Sequence, residues 1–129
     1  MACVAISPDN RLIASSKDYD VRLGDASTGE AVGGRLMDHS SAVRAVSFLP
    51  NSRWLASTSK DNTVRIWDVD RRQESDIGPF QCDGYAYSVA FSPDGRLIAA
   101  GDESCKIHIG LENDQNLEML CPFFAKFKT

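Results

Sequence analysis

Apolar residues in this chain alternate with small or polar ones over short stretches, the period-two pattern of half-buried β-strands. Val46 and Phe48 alternate with Ala45 and Ser47, Val89 and Phe91 with Ser88 and Ala90, and Val64 and Ile66 with Arg65 and Trp67. Leu12-Ile13, Trp54-Leu55 and Leu97-Ile98 are apolar pairs suited to a strand covered on both faces. Pro8-Asp9-Asn10, Pro50-Asn51-Ser52 and Pro93-Asp94-Gly95 punctuate the strands as turns. Proline presets φ at the second turn position, and Asn10 and Gly95 tolerate left-handed angles, whereas Ser52 tolerates them less well. No helical period is sustained, so the chain is predicted to be all-β.

The pattern also repeats. Ser7 to Ser15 recurs as Leu49 to Ser57 and again as Ser92 to Ala100, with the prolines 42 and 43 residues apart. Val21-Arg22-Leu23-Gly24-Asp25 recurs as Val64-Arg65-Ile66-Trp67-Asp68 and as Ile107-His108-Ile109-Gly110-Leu111. A third block precedes each proline: Ala2 to Ile6, Val43 to Phe48 and Ala86 to Phe91. A period of about 40–45 residues holding several short strands is the signature of a propeller blade.

These residues resemble WD40 repeats. The second copy is the clearest, with Asp38-His39 where the family has Gly-His, then Phe48-Leu49-Pro50-Asn51, then Leu55-Ala56-Ser57-Thr58-Ser59-Lys60-Asp61-Asn62-Thr63-Val64-Arg65-Ile66-Trp67-Asp68. The resemblance covers roughly residues 1–111. It implies a partial WD40-type β-propeller over residues 1–121, of about three four-stranded antiparallel blades at approximately 1–36, 37–80 and 81–121. Leu117 to Cys121 is the expected last outer strand, and residues 122–129 form an unassigned tail. Closed propellers have about 4–8 blades. The chain is therefore expected to be a piece or shortened product, or to close by self-association, two copies giving six blades.

Composition narrows the function classes. A net charge of −4 over 129 residues argues against general nucleic-acid binding, which brings a basic excess. No apolar run approaches the ~20 residues of a membrane helix. Met1 to Ile6 lacks the basic start and apolar stretch of a signal peptide, so a cytoplasmic chain is expected, with the nucleus open to it. Cys3, Cys82, Cys105 and Cys121 are scattered with no C-x-x-C spacing and read as buried thiols in a reducing compartment.

His39, Ser57 and Asp61 are the residue types of a hydrolase triad. Catalysis by them needs an exposed nucleophile, an oxyanion hole and a cleft. The family resemblance implies instead a structural tetrad of His39, Ser57, Asp61 and Trp67, buried and hydrogen-bonded. Only the second repeat carries all four. The first keeps Ser15 and Asp18 but has Gly24 for the tryptophan, and the third has Cys82, Ala100, Ser104 and Gly110, which makes it the expected loosest blade. His108 and Cys105 are too few for zinc, and Gly24, Gly29, Gly33 and Gly34 form no phosphate loop, so neither metal nor cofactor is expected. Arg71-Arg72 sits in the expected turn between third and fourth strands and is too short for a nucleic-acid patch.

The WD40 resemblance also implies partner binding on the face bearing the loops between fourth and first and between second and third strands, and its positions are carried over one at a time. Three and five residues after the histidine lie Ala42 and Arg44 in the second repeat, and Tyr85 and Tyr87 in the third. One residue before the tetrad aspartate lie Lys17, Lys60 and Glu103. Tyrosine and arginine are enriched at interface hot spots, so Arg44, Lys60, Tyr85 and Tyr87 are the candidate partner-binding residues. The expected function is a non-catalytic protein–protein interaction scaffold, the sensor or adaptor part of a larger assembly. The alternatives are a Ser-His-Asp hydrolase using His39, Ser57 and Asp61, and a truncated non-functional fragment.

Overall fold

The structure, a computed structural model, describes residues 3–50, 52–75, 79–82, 84–94, 97–102, 107–111 and 118–120. Among them there is no helix, as the period-two pattern predicts. The first sheet orders β1 (Val4–Ile6), β2 (Leu12–Lys17) and β3 (Asp20–Asp25). The second orders β4 (Val43–Phe48), β5 (Trp54–Ser59), β6 (Thr63–Asp68) and β7 (Gln73–Glu74), with β8 (Phe80–Gln81) also pairing β6. The third orders β9 (Ala86–Phe91), β10 (Leu97–Asp102), β11 (Ile107–Leu111) and β12 (Glu118–Leu120). All pairings are antiparallel.

The fourth strand is uneven. In the first sheet it reduces to two isolated bridges, Val21 with Leu36 and Gly24 with Ala31. In the second it is split, β7 pairing Trp67 and Asp68 while β8 pairs Thr63 and Val64. In the third, β12 falls within the stretch from Leu117 to Cys121 expected as the last outer strand, and Leu117, Cys121 and residues 122–129 lie outside the described residues.

The turns explain the repeat. Asn10 donates its N–H to the Ser7 carbonyl at 2.9 Å, and Ser52 donates to the Leu49 carbonyl at 3.0 Å. Both turn residues are left-handed, with φ of 62° and 61°. Ser52 thus takes an angle that serine tolerates poorly, because the shared hairpin geometry requires it. A second repeated turn follows the third strand. Gly29 donates to the Asp25 carbonyl and Arg72 to that of Asp68, and both are left-handed, at 75° and 56°. Glycine meets that angle without a Cβ clash, and arginine does not.

The sheets stack face to face and bury the core at their junctions. Between the first and second, Ala14, Val21, Leu23 and Leu36 meet Val43, Val46, Phe48, Leu55, Trp67 and Val69. Between the second and third, Ala56, Val64 and Ile66 meet Cys82, Ala86 and Ala100. Alternation along each strand sends one set of side chains to each junction. On the opposite face of the first sheet, which no sheet covers among the described residues, Val4 and Ile6 are 68% and 63% exposed, although their counterparts Val46 and Phe48 are buried.

Candidate functional site

His39 comes from the segment ahead of β4, Ser57 from β5, Trp67 from β6, and Asp61 from the loop between β5 and β6. The structure brings all four together. The His39 ring lies 2.8 Å through Nδ1 from Asp61 Oδ2 and 2.6 Å through Nε2 from Ser57 Oγ. The Trp67 indole nitrogen donates to Ser57 Oγ at 2.8 Å. Donor chemistry fixes the direction of the chain. A carboxylate only accepts, so Nδ1 carries the imidazole proton. An indole N–H only donates, so the Ser57 hydroxyl passes its own proton on to Nε2. Asp61 further accepts from the Ser40 N–H at 3.0 Å, the Thr63 N–H at 2.9 Å and the Thr63 hydroxyl.

This network sits out of water. Burial pushes the His39 pKa below its ordinary value, against the hydrogen bond and charge of Asp61, which pull the other way. A neutral imidazole is what the donor pattern requires. Burial also opposes the charge on Asp61, yet the hydrogen bonds from Thr63 and His39 outweigh it and hold its carboxyl below the usual range. The serine is wholly enclosed, at 0% exposure, and its oxygen already serves the indole.

The corresponding positions elsewhere differ. Asp18 is exposed and left-handed at φ 55°, and the buried carboxylate of the first sheet is Asp20, two residues on. Asp20 meets Arg22 at 3.4 Å and Arg35 at 3.6 Å through Oδ2, while Oδ1 is buried with no hydrogen-bond partner among the described residues. With Lys17, Asp18, Tyr19 and Met37 they line a hollow of about 570 Å³. The sequence reading missed Asp20, because it matched aspartate to aspartate and the hairpin there is one residue shorter. In the third repeat, Cys82 and Ala100 are buried in the apolar junction. Ser104, Cys105, Glu103 and Cys121 lie outside the described residues, as does the side chain of His108, whose backbone pairs with Ala100 in β11. Cys3, expected to be buried, is half-buried, with its thiol 2.7 Å from Ser16 Oγ, and Cys82 is buried, as expected.

Arg44, Lys60, Tyr85 and Tyr87 form one cluster at the rim of the second junction. The Arg44 guanidinium lies 5.0 Å from the centre of the Tyr87 ring, and the Lys60 ammonium 5.8 Å from that of Tyr85. The two rings stand edge to face, 6.5 Å apart at 88°. Arg71 and Arg72 are exposed in the turn between β6 and β7. Among the described residues no group of three or more His, Cys, Asp and Glu side chains is arranged to hold a metal, and no helix is long and apolar enough to cross a membrane.

Comparison with known proteins fits this architecture. Residues 2–25, 32–68 and 78–109 match the family described as "WD domain, G-beta repeat". The chain is 30% identical to the Protein LST8 homolog of Drosophila melanogaster, over 88% of this chain and 36% of that one. It is 33% identical to the Periodic tryptophan protein 2 homolog of Neurospora crassa, over 76% of this chain and 11% of that one. It therefore spans only about a third of the one relative and about a tenth of the other. Hydrazine synthase of Kuenenia stuttgartiensis shares the fold alone, with a TM-score of 0.82 at 19% identity over 90% of this chain and 34% of that one. Three matched repeats, three stacked antiparallel sheets and a propeller neighbour together make this chain a member of the WD40-repeat family, a partial β-propeller of three blades.

Proposed function

We propose that the chain is a non-catalytic scaffold that holds another protein at the rim of its second blade junction. The observation that carries this reading is the cluster of Arg44, Lys60, Tyr85 and Tyr87, gathered from two blades with both rings about 40% exposed. Hot spots combine such rigid aromatic surface with cations. A relative from Schizosaccharomyces pombe, 34% identical over 51% of this chain and 21% of that one, is named as a subunit of the target of rapamycin complex, which supports a role within an assembly. The reading makes the chain cytoplasmic or nuclear, and its His39, Ser57, Asp61 and Trp67 a structural tetrad.

The buried chain through Ser57 supports the non-catalytic part. A nucleophile must meet its substrate. Ser57 is enclosed and its oxygen is engaged by the indole, so the order Ser-His-Asp here tightens a blade instead of opening a bond. The test is affinity purification with the native chain and with the Arg44→Ala/Tyr87→Ala variant. Proteins recovered with the native chain should be lost with the variant, while circular dichroism stays unchanged. An identical recovered set would overturn the assignment of the rim.

A further inference from the structure

We infer that the rim takes an acidic, extended segment of a partner protein, with carboxylates on Arg44 and Lys60 and an apolar side chain between them on the tyrosine pair. This rests on the scaffold reading above and adds the chemistry of the partner.

The backbone builds the site deliberately. In β4 the register shifts so that Val43 pairs with Ser59 and Ala45 with Thr58, leaving Arg44 as the bulged residue. In β9 the same shift pairs Ala86 with Asp102 and Ser88 with Gly101, leaving Tyr87 as the bulged residue. A bulge frees a side chain from the ladder and re-aims it. The two blades turn out equivalent residues, and these meet across the junction.

The cations there meet no carboxylate among the described residues. Arg22, Arg35, Arg65 and Arg71 each reach a carboxylate. Arg44 and Lys60 reach none among the described residues and rest on tyrosine rings, in a chain with 18 acidic and 14 basic residues. A ring face orients a cation but leaves its charge in place for an anion. The hydroxyls of the two exposed tyrosines add donors at the same place.

Spacing favours a peptide in the extended state. Side chains on one side of an extended chain stand roughly 6.5–7 Å apart, and the two tyrosine rings stand 6.5 Å apart. The order along the rim is cation, ring, ring, cation, which fits acidic residues flanking apolar ones. Single-stranded nucleic acid also suits cations and rings. It is disfavoured because a long polyanion runs past the patch onto a surface of net charge −4, whereas a short acidic segment stays on it.

The experiment selects peptides from a bead-displayed library of random short sequences, for binding to the native chain and against binding to the Arg44→Gln/Lys60→Gln variant. Selected sequences should carry clustered Asp or Glu around an aromatic or aliphatic residue. Their affinity should fall roughly tenfold in the variant and fall with added salt. Neutral or basic selected sequences, the absence of any rim-dependent peptide, or tighter rim-dependent binding of labelled oligouridylate would each overturn the inference. If affinity purification still yields rim-dependent proteins in those cases, the scaffold reading stands and only the acidic partner is lost.

Discussion

Arg44 and Tyr87 occupy the same bulged position in consecutive blades, 43 residues apart, and the guanidinium of one rests 5.0 Å from the ring centre of the other. The repeat thus places two equivalent residues in contact across a junction. An exposed cation–π pair contributes roughly 0.5–1 kcal/mol. A double-mutant cycle of Arg44→Ala with Tyr87→Leu should return a coupling of about that size in urea unfolding. Tyr87→Phe should leave stability unchanged, since the ring carries the contact. Zero coupling would show that the two side chains merely stand near each other.

The buried chain through His39 is the costlier thing to break. His39→Ala removes one donor to the Asp61 carboxylate and leaves the proton of the enclosed Ser57 hydroxyl without an acceptor, and should lower stability by about 1–3 kcal/mol. Trp67→Phe removes one donor to Ser57 and should cost about 1 kcal/mol or more. Thermal melting reads both, and an unchanged melting temperature in His39→Ala would sink the tetrad. An active-site-directed phosphonate should leave Ser57 unlabelled in the folded chain.

Acid should weaken the fold through the same histidine. Its folded pKa lies below the ordinary value of 6.5, chiefly because of burial. The unfolded chain therefore binds a proton more readily than the folded one. The stability held in neutral His39 is complete above about pH 6.5 and is lost as pH falls below it. Asp61 adds a lower window: its depressed folded pKa stabilises above the ordinary 3.8, and that contribution disappears as pH falls through the folded value. Urea midpoints between pH 7 and pH 5 should fall in the native chain and stay nearly flat in His39→Gln. Equal slopes in both would remove His39 as the cause.

Much of this was legible in the sequence because the physics is local. Alternation set the strands and repeated Pro-Asp and Pro-Asn turns set the period, so three blades could be counted without a contact. The tetrad residues were named by the family resemblance, and the structure brings them together. What the sequence hid depends on register. A bulge changes no residue type, so nothing in Val43-Arg44-Ala45 announces that Arg44 leaves the ladder. The shorter hairpin at Asp18 likewise moved the buried carboxylate to Asp20, where a match by letter points to the wrong residue. The splitting of β7 and β8 is also tertiary, set by which stretch reaches the edge of β6.

The turn at Arg72 gives a prediction of opposite sign. Its φ of 56° is strained for a side-chain-bearing residue, and Gly29 fills the same place in the first blade. Arg72→Gly should raise stability by about 0.5–1 kcal/mol, net of the glycine's extra freedom when unfolded. A lower melting temperature would mean that packing of the Arg72 stem against Gly33, where an added Cβ would lie 2.3 Å from Arg72 Cδ, outweighs the strain.

Val4 and Ile6 are 68% and 63% exposed on a face whose counterpart in the second blade buries Val46 and Phe48 against a neighbour. Burying a valine or isoleucine contributes roughly 1.5–3 kcal/mol, so this face should seek cover. At the other end of the stack, Ser88 and Ala90 of β9 are exposed, whereas Ala45 and Ser47 of β4, the strand that lies against β9, are half-buried. One chain therefore offers both halves of a junction it already makes twice, and a second copy joined head to tail would close six blades. Light scattering after size exclusion should show a mass that rises with concentration toward a dimer. Val4→Thr/Ile6→Thr keeps strand propensity but removes the apolar contact, and should return the mass toward the monomer. A native chain that stays monomeric at every concentration would show that these faces do not join. Growth past the dimer would mean that the junction repeats without closing, which a head-to-tail contact does when its rotation misses the ring.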